Sequence, residues 1–300
     1  EIYQCDWSSD VCSSDLLAAQ ECDCDFSTSG DVVFYPEWVD FIRETTIHEP
    51  IERRGADQNL WVWEPADYTR DYMVVADVAR GDGKDFSTFH VIDIATNTQV
   101  AEYKGQMSPK EFGYFLVAIA TEYNLALLVV ENASIGWAAI ESVLERGYRN
   151  LYYSPKSDNL TVDSYFNKYE NSDNVTAGFT MSLRTRPLVI NKFREYIGDR
   201  SVTIRSKRLL EEMKVFVWKN GRPEAQTGYN DDLVMPFGIA MYLRDTSLKF
   251  RQQAHDLSRA TLSNFAKGNT SFIGAYNANN VPNPYSIETS DGMEDIKWLL

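Results

Sequence analysis

Beyond residue 24 the chain has no cysteine; all four (Cys5, Cys12, Cys22, Cys24) lie at the N-terminus. A disulfide framework would staple the body of a fold, so that class is excluded. The C-x6-C-x9-C-x-C spacing has no histidine beside it and fits no common zinc pattern, and a reducing, cytosolic setting is expected. No apolar run approaches the ~20 residues of a membrane span. No cationic start followed by an apolar stretch marks a secretory signal. Positive charge is also short. The 29 Lys and Arg stand against 44 Asp and Glu, a net of −15. At first sight this argues against a nucleic-acid partner, because phosphates are neutralised by basic side chains. A nucleotide phosphate loop of the G-x-x-x-x-G-K-[ST] type is missing too; the run from Gly81 to Asp85 is too short and too acidic.

What is present is unevenly spread. Residues 1–69 carry 16 acidic and 3 basic side chains, residues 70–245 carry 23 and 21, and residues 246–300 carry 5 of each. The acidity therefore belongs to the first quarter. With 44% hydrophobic and 13% aromatic residues over 300 positions, the chain can bury a core of one large or two small domains. Residues 1–16 repeat Ser-Ser-Asp and resemble a translated sequencing adapter. They are expected to be a non-native leader, with the true upstream part lost. Residues 17–69 are expected to be a linker, 70–245 the folded domain, and 246–300, rich in Asn, Ser and Pro, a loosely ordered tail.

The periodicity predicts a short helix over 34–46, with 59–67 a linker or edge segment. Residues 72–78 form a continuous apolar run that suits a buried strand, followed by a turn at Gly81 and Gly83. Residues 87–94 and 99–104 complete a meander through the turn at 95–98. Ser108, Pro109 and Glu111 spell a capping box opening a helix. A second apolar strand spans 125–130, a helix 134–146 closes at Gly147, and a fifth short strand spans 151–153. Residues 154–180 read as a flap insertion. A helix over 183–197 turns Leu188, Ile190 and Phe193 inward. Asn220-Gly221 turns a hairpin, and 231–243 is the last helix, with Pro236 inside it. Trp137 is expected in the core. The order implies an α/β fold: a mixed sheet made of an antiparallel three-strand meander plus parallel strands, with helices on both faces.

Three acidic positions stand at element ends. Asp77 closes the first apolar strand, Glu131 closes the fourth, and Asp231 and Asp232 open the last helix. Aspartate in a turn or in a first helical turn has an ordinary structural reading. A carboxylate at the end of a buried strand does not, because burial of charge is costly. Neighbouring parallel strands bring two such ends to one edge. Carboxylates gathered there repel unless a hard divalent cation sits among them. Two such ions are the machinery of phosphodiester cleavage.

Residues 76–93 (ADVARGDGKDFSTFHVID), 129–140 (VVENASIGWAAI) and 228–241 (GYNDDLVMPFGIAM) resemble the three acidic motifs of the tailed-bacteriophage terminase large subunit, in its C-terminal nuclease domain. Residues 20–34 resemble the join between that family's ATPase and nuclease domains. The resemblance implies an RNase H-like fold and a two-metal (Mg²⁺ or Mn²⁺) endonuclease that cuts concatemeric double-stranded DNA during packaging. Asp77, Glu131 and Asp232 or Asp231 are the implied catalytic and metal-binding acids, with Asp85 a further metal position. Portal protein and small terminase subunit are the implied partners, and the host cytoplasm, at the procapsid portal, the implied place. No ATPase activity is expected without the phosphate loop. Arg184, Arg186 and Lys192 on one segment, with Arg194, and Arg205, Lys207 and Arg208 on another, are the candidate phosphate contacts. Tyr165, Phe166 and Tyr169 of the flap could brace a DNA strand.

Other readings share parts of this pattern. A resolvase or transposase has the same fold and chemistry with another substrate. An actin-like or sugar-kinase ATPase also uses a glycine turn after its first strand. A portal- or capsid-docking module would have lost activity.

Overall fold

The computed structural model describes residues 32–81, 83, 85–133, 135–155 and 175–245, and the backbone of 286–289 and 292–295. The leader, the segment up to residue 31 and the flap aromatics Tyr165, Phe166 and Tyr169 lie outside the described residues. Two compact units are formed, Glu1–Leu248 and Lys249–Leu300.

The first unit is built on a six-stranded sheet. Its strands are β1 (Glu52–Arg54), β2 (Leu60–Val62), β3 (Tyr72–Asp77), β4 (Ser87–Asp93), β5 (Thr98–Gly105) and β6 (Leu127–Val130), in the order β1-β2-β5-β4-β3-β6. All neighbours are antiparallel except β3 and β6. The meander β3-β4-β5 follows from two turns, one at Gly81 (φ +80°) and one at Asn97 (φ +55°), where left-handed backbone is needed. Residues 52–62 extend the meander edge by two strands, because the run Leu60–Val62 pairs with β5 and is buried. On the other edge, Leu128 forms a parallel bridge with Leu151. The fifth strand starts two residues later than the periodicity predicts, as β7 (Tyr153–Pro155). It pairs with β8 (Val175–Ala177) at the two ends of the flap.

Alternation along β3 divides two cores. Val74 and Ala76 face the one shared with helices α2 (Pro109–Glu122) and α3 (Gly136–Glu145), through Leu116, Ala120, Ile140 and Val143. Met73 and Val75 face the other, against α1 (Pro36–Thr45), α4 (Thr185–Gly198), α5 (Lys207–Lys214) and a last helix, α6, over residues 234–245. Helices on both faces are thus required by strands buried on both sides. Each fully buried large side chain in these layers, such as Phe112, Phe193 and Phe237, contributes about 1.5–3 kcal/mol.

The local signals act as their chemistry requires. Ser108 and Glu111 form the reciprocal capping box of α2. Gly147 takes φ +68° after α3. Pro236 falls in the first turn of α6, where its missing N–H removes no helical bond. Two inward assignments are corrected: Trp137 is 46% exposed and Leu188 50% exposed. In α4 the buried stripe is Val189, Ile190, Phe193, Tyr196 and Ile197, set by the helical period rather than by Leu188. A hairpin of β9 (Phe216–Lys219) and β10 (Arg222–Ala225) turns at Asn220-Gly221. Among the described residues no helix is long and apolar enough to cross a membrane.

The second unit contains two described strands, β11 (Ser286–Thr289) and β12 (Gly292–Asp295), paired antiparallel.

Candidate active site

The site begins with strand register. Ala76 of β3 lies opposite Val130 of β6, and the Glu131 N–H donates to the Ala76 carbonyl at 3.0 Å. One residue further on, Asp77 therefore stands beside Glu131. Asp77 is also the cross-strand partner of Thr88, and Thr88 that of Lys104. Glu131, Asp77, Thr88 and Lys104 thus form one row across four strands. Parity places the row on the side of Met73, Val75 and Val129, the face covered by α4, α5 and α6.

Asp231 and Asp232 reach this row from the segment that leads into α6. The Thr88 hydroxyl donates to the Asp232 carbonyl at 2.5 Å, anchoring the segment over β4. One carboxylate oxygen of Asp232, Oδ2, accepts from the Phe86 N–H at 3.3 Å and from Asn230 Nδ2 at 3.0 Å. Lys104 Nζ stands 4.0 Å from the same oxygen. Asp231 instead forms an ion pair with Arg186, whose Nε donates to the Pro223 carbonyl at 2.9 Å.

Glu131 is held by close packing of backbone. A Cβ on Gly136, at the start of α3, would meet the Glu131 carbonyl at 1.8 Å, and one on Gly178 (φ +80°) would meet the Val130 carbonyl at 2.5 Å. Asn132 is buried beside them and donates to the Ala177 carbonyl and to Thr180.

The carboxyl groups feel one another. Burial pushes Asp77 well above the usual carboxylate range, and the negative charges of Glu131, Asp232 and Asp231 push it further. Burial also raises Glu131, with Arg186 pulling it back and Asp231 adding to the rise. Asp232 is raised by burial, against the hydrogen bond from Asn230 and the charge of Lys104.

This is an all-oxygen, hard-donor set with more negative charge than one arginine and one lysine neutralise, and it fits a divalent cation in kind. The spacing is open: among the described residues, no three His, Cys, Asp or Glu side chains are gathered tightly enough to form a ready-made metal group. Asp85 is exposed in the β3–β4 loop. It lines a cleft of about 390 Å³ with Val78, Ala79, Arg80, Gly83 and Ile135.

The candidate phosphate contacts have partners within the fold. Arg186 is paired with Asp231. Lys192 pairs with Glu195 and Asp245. Arg205 pairs with Glu64, Lys207 with Glu49, and Arg208 with the fully buried Glu102 while lying 3.7 Å over the Trp61 ring. Arg194 lies over the Tyr35 ring, and Arg184 has a partner as well. A linear cluster of cations looked free because most of their partners lie 45 or more positions away in sequence. Arg205, Lys207 and Arg208 tie α5 and the residues leading into it to the sheet and to the segment 49–64.

Lys104, Glu212 and Gly136 were missed. Glu212 of α5 accepts from Lys104 Nζ at 2.5 Å through Oε1, and from the Leu233 and Val234 N–H groups at 2.8 and 3.4 Å through Oε2. It caps α6 from a different helix. In the sequence it is one acid in an amphipathic KRLLEEMK run, with no signal to set it apart. Gly136, five residues after Glu131, carried a signal in its position at a helix start.

No protein-family model matches the chain. Among solved structures, it is similar to the large terminase nuclease from thermophilic phage G20c with bound magnesium, at a TM-score of 0.53 and 19% identity. The match covers 71% of this chain and 98% of that one. The cobalt-bound form of that nuclease matches to the same extent. The large terminase nuclease domain of Thermus phage P74-26 matches at a TM-score of 0.50 and 19% identity, over 71% of this chain and 95% of that one. The fold is therefore the RNase H-like mixed sheet of the phage large-terminase nuclease domains.

Proposed function

We propose that this chain is a metal-dependent endodeoxyribonuclease that cuts concatemeric double-stranded DNA as the nuclease domain of a viral packaging terminase. The observation that carries the reading is the row on which Asp77 and Glu131 stand side by side, with Asp232 anchored onto it through Thr88. The magnesium and cobalt bound to the G20c nuclease support a divalent ion here.

Asp77, Glu131 and Asp232 would hold the metal, with Asp231 joining on release from Arg186. Bound divalent ions supply charge neutralisation at the scissile phosphate and activation of water. The protein's own part is to fix the donors. Asp77 takes the Val78 N–H on Oδ1 at 2.8 Å, and Asp232 is anchored through Oδ2. Arg80, exposed at the cleft with no ion pair among the described residues, is the phosphate contact we assign in place of the paired cations. Portal protein and small terminase subunit are the proposed partners, and the host cytoplasm at the procapsid portal the proposed place of action.

The test is cleavage of supercoiled plasmid by the purified chain with Mn²⁺ or Mg²⁺. Nicked and linear products are expected from wild type and none from Asp77→Ala. Absence of wild-type cleavage, or equal cleavage by the variant, overturns the reading. Strong preference for branched over linear duplex would instead favour a resolvase.

A further inference from the structure

Lys104 lies between two carboxylates and is bound to one of them. Its Nζ is 2.5 Å from Glu212 Oε1 and 4.0 Å from Asp232 Oδ2. It is confined from the side by the Phe86 ring, at 5.1 Å. Glu212 is itself fixed: its second oxygen accepts the Leu233 and Val234 N–H groups, directly after Asp232. A lysine ammonium is a compact charge on a flexible stem and goes to the strongest nearby anion.

We propose that Glu212 is a positioning residue that holds the Lys104 ammonium off Asp232, so that Asp232 stays open to a divalent cation. This rests on the nuclease reading of the site. Without the Glu212 charge, Asp232 is the nearest remaining carboxylate, and Lys104 would close on it and compete with the metal. Glu212→Gln removes the charge but keeps an oxygen for the Leu233 N–H. Lys104→Met removes the competitor. The two changes should therefore compensate in Mn²⁺ affinity, whereas a merely structural pair would show its coupling in thermal stability and leave Mn²⁺ affinity unmoved.

The experiment measures Mn²⁺ binding to the metal-free full chain from the electron-spin signal of free Mn²⁺, with plasmid cleavage against Mn²⁺ concentration in parallel. Glu212→Gln should weaken Mn²⁺ binding about 10-fold, as loss of a residue supporting a ligand does. The double variant should return to within about threefold of wild type. Lys104→Met alone should bind at least as tightly as wild type, a reading that survives if Glu212→Gln fails to fold. Unchanged Mn²⁺ binding by Glu212→Gln, a double variant weaker than Glu212→Gln, or weakened binding by Lys104→Met each overturns the proposal while wild type still binds and cleaves. A wild type that neither binds Mn²⁺ nor cleaves overturns the nuclease reading itself.

Discussion

The Glu131 amide donates to the Ala76 carbonyl, and this one bond brings the ends of two parallel strands level. It sets Glu131 beside Asp77. The Glu131 carbonyl leaves no room on its other side, where Gly136 approaches. Gly136→Ala should therefore displace Glu131. We expect a loss of cleavage at least as large as that of Glu131→Gln, and destabilisation of about 1–3 kcal/mol from overpacking. Gly147→Ala is the comparison. Its Cβ would meet nothing within 4 Å, so its positive φ alone is strained. It should cost about 1 kcal/mol and leave cleavage intact. Thermal unfolding and plasmid cleavage of both variants check this.

Arg186 pairs with Asp231 and lowers the Glu131 carboxyl against its burial. In Arg186→Ala, Asp231 and Glu131 lose their cation. The metal-free protein should lose about 1–3 kcal/mol, as for a partly buried pair broken from one side. Added Mn²⁺ should then raise the melting temperature more than it does in wild type, because Asp231 is released to the site. Equal metal-induced shifts in both proteins would contradict this.

Arg80 and Lys207 make a matched pair for DNA binding. Arg80 is exposed at the cleft, while Lys207 is exposed but paired with Glu49. Arg80→Ala should weaken duplex binding across sequences and reduce the slope of log K against log salt by about 1. Lys207→Ala should leave the slope nearly unchanged. Fluorescence anisotropy over a salt series reads both.

His90 is buried in β4. Nε2 faces the Leu233 carbonyl at 2.9 Å, Nδ1 accepts from Gln99 at 3.0 Å, and the Phe237 ring packs edge-on. This is a neutral ring carrying its proton on Nε2. The charged groups facing it are Glu102 and Arg208. Burial lowers its pKa below 6.5, with the Glu102 charge opposing. The unfolded chain therefore takes up a proton near pH 6.5 that the folded protein refuses. The His90 contribution is present above pH 6.5 and is lost progressively as pH falls below it. The stability difference between wild type and His90→Gln should shrink from pH 7.5 to pH 5.5 in denaturant titrations. A constant difference would show that the native ring titrates normally.

Local periodicity and turn chemistry by themselves determined much of this protein. The two apolar runs at 72–77 and 127–130, the capping box at Ser108 and the glycine at 147 specify strands and helices through contacts a few residues apart. The placement of Asp77 and Glu131 at the ends of two buried runs was legible for the same reason: charge there conflicts with the run itself. The tertiary structure alone decided which cations are spent. Arg208 meets Glu102 and Lys104 meets Glu212 across more than a hundred residues, and a linear pattern holds no record of such pairs. It also decided the partners of Asp231 and Asp232. Arg186 takes the first, while Thr88 and Phe86 anchor the second. Adjacent residues in a non-helical segment project differently, and only the packed neighbours choose between them.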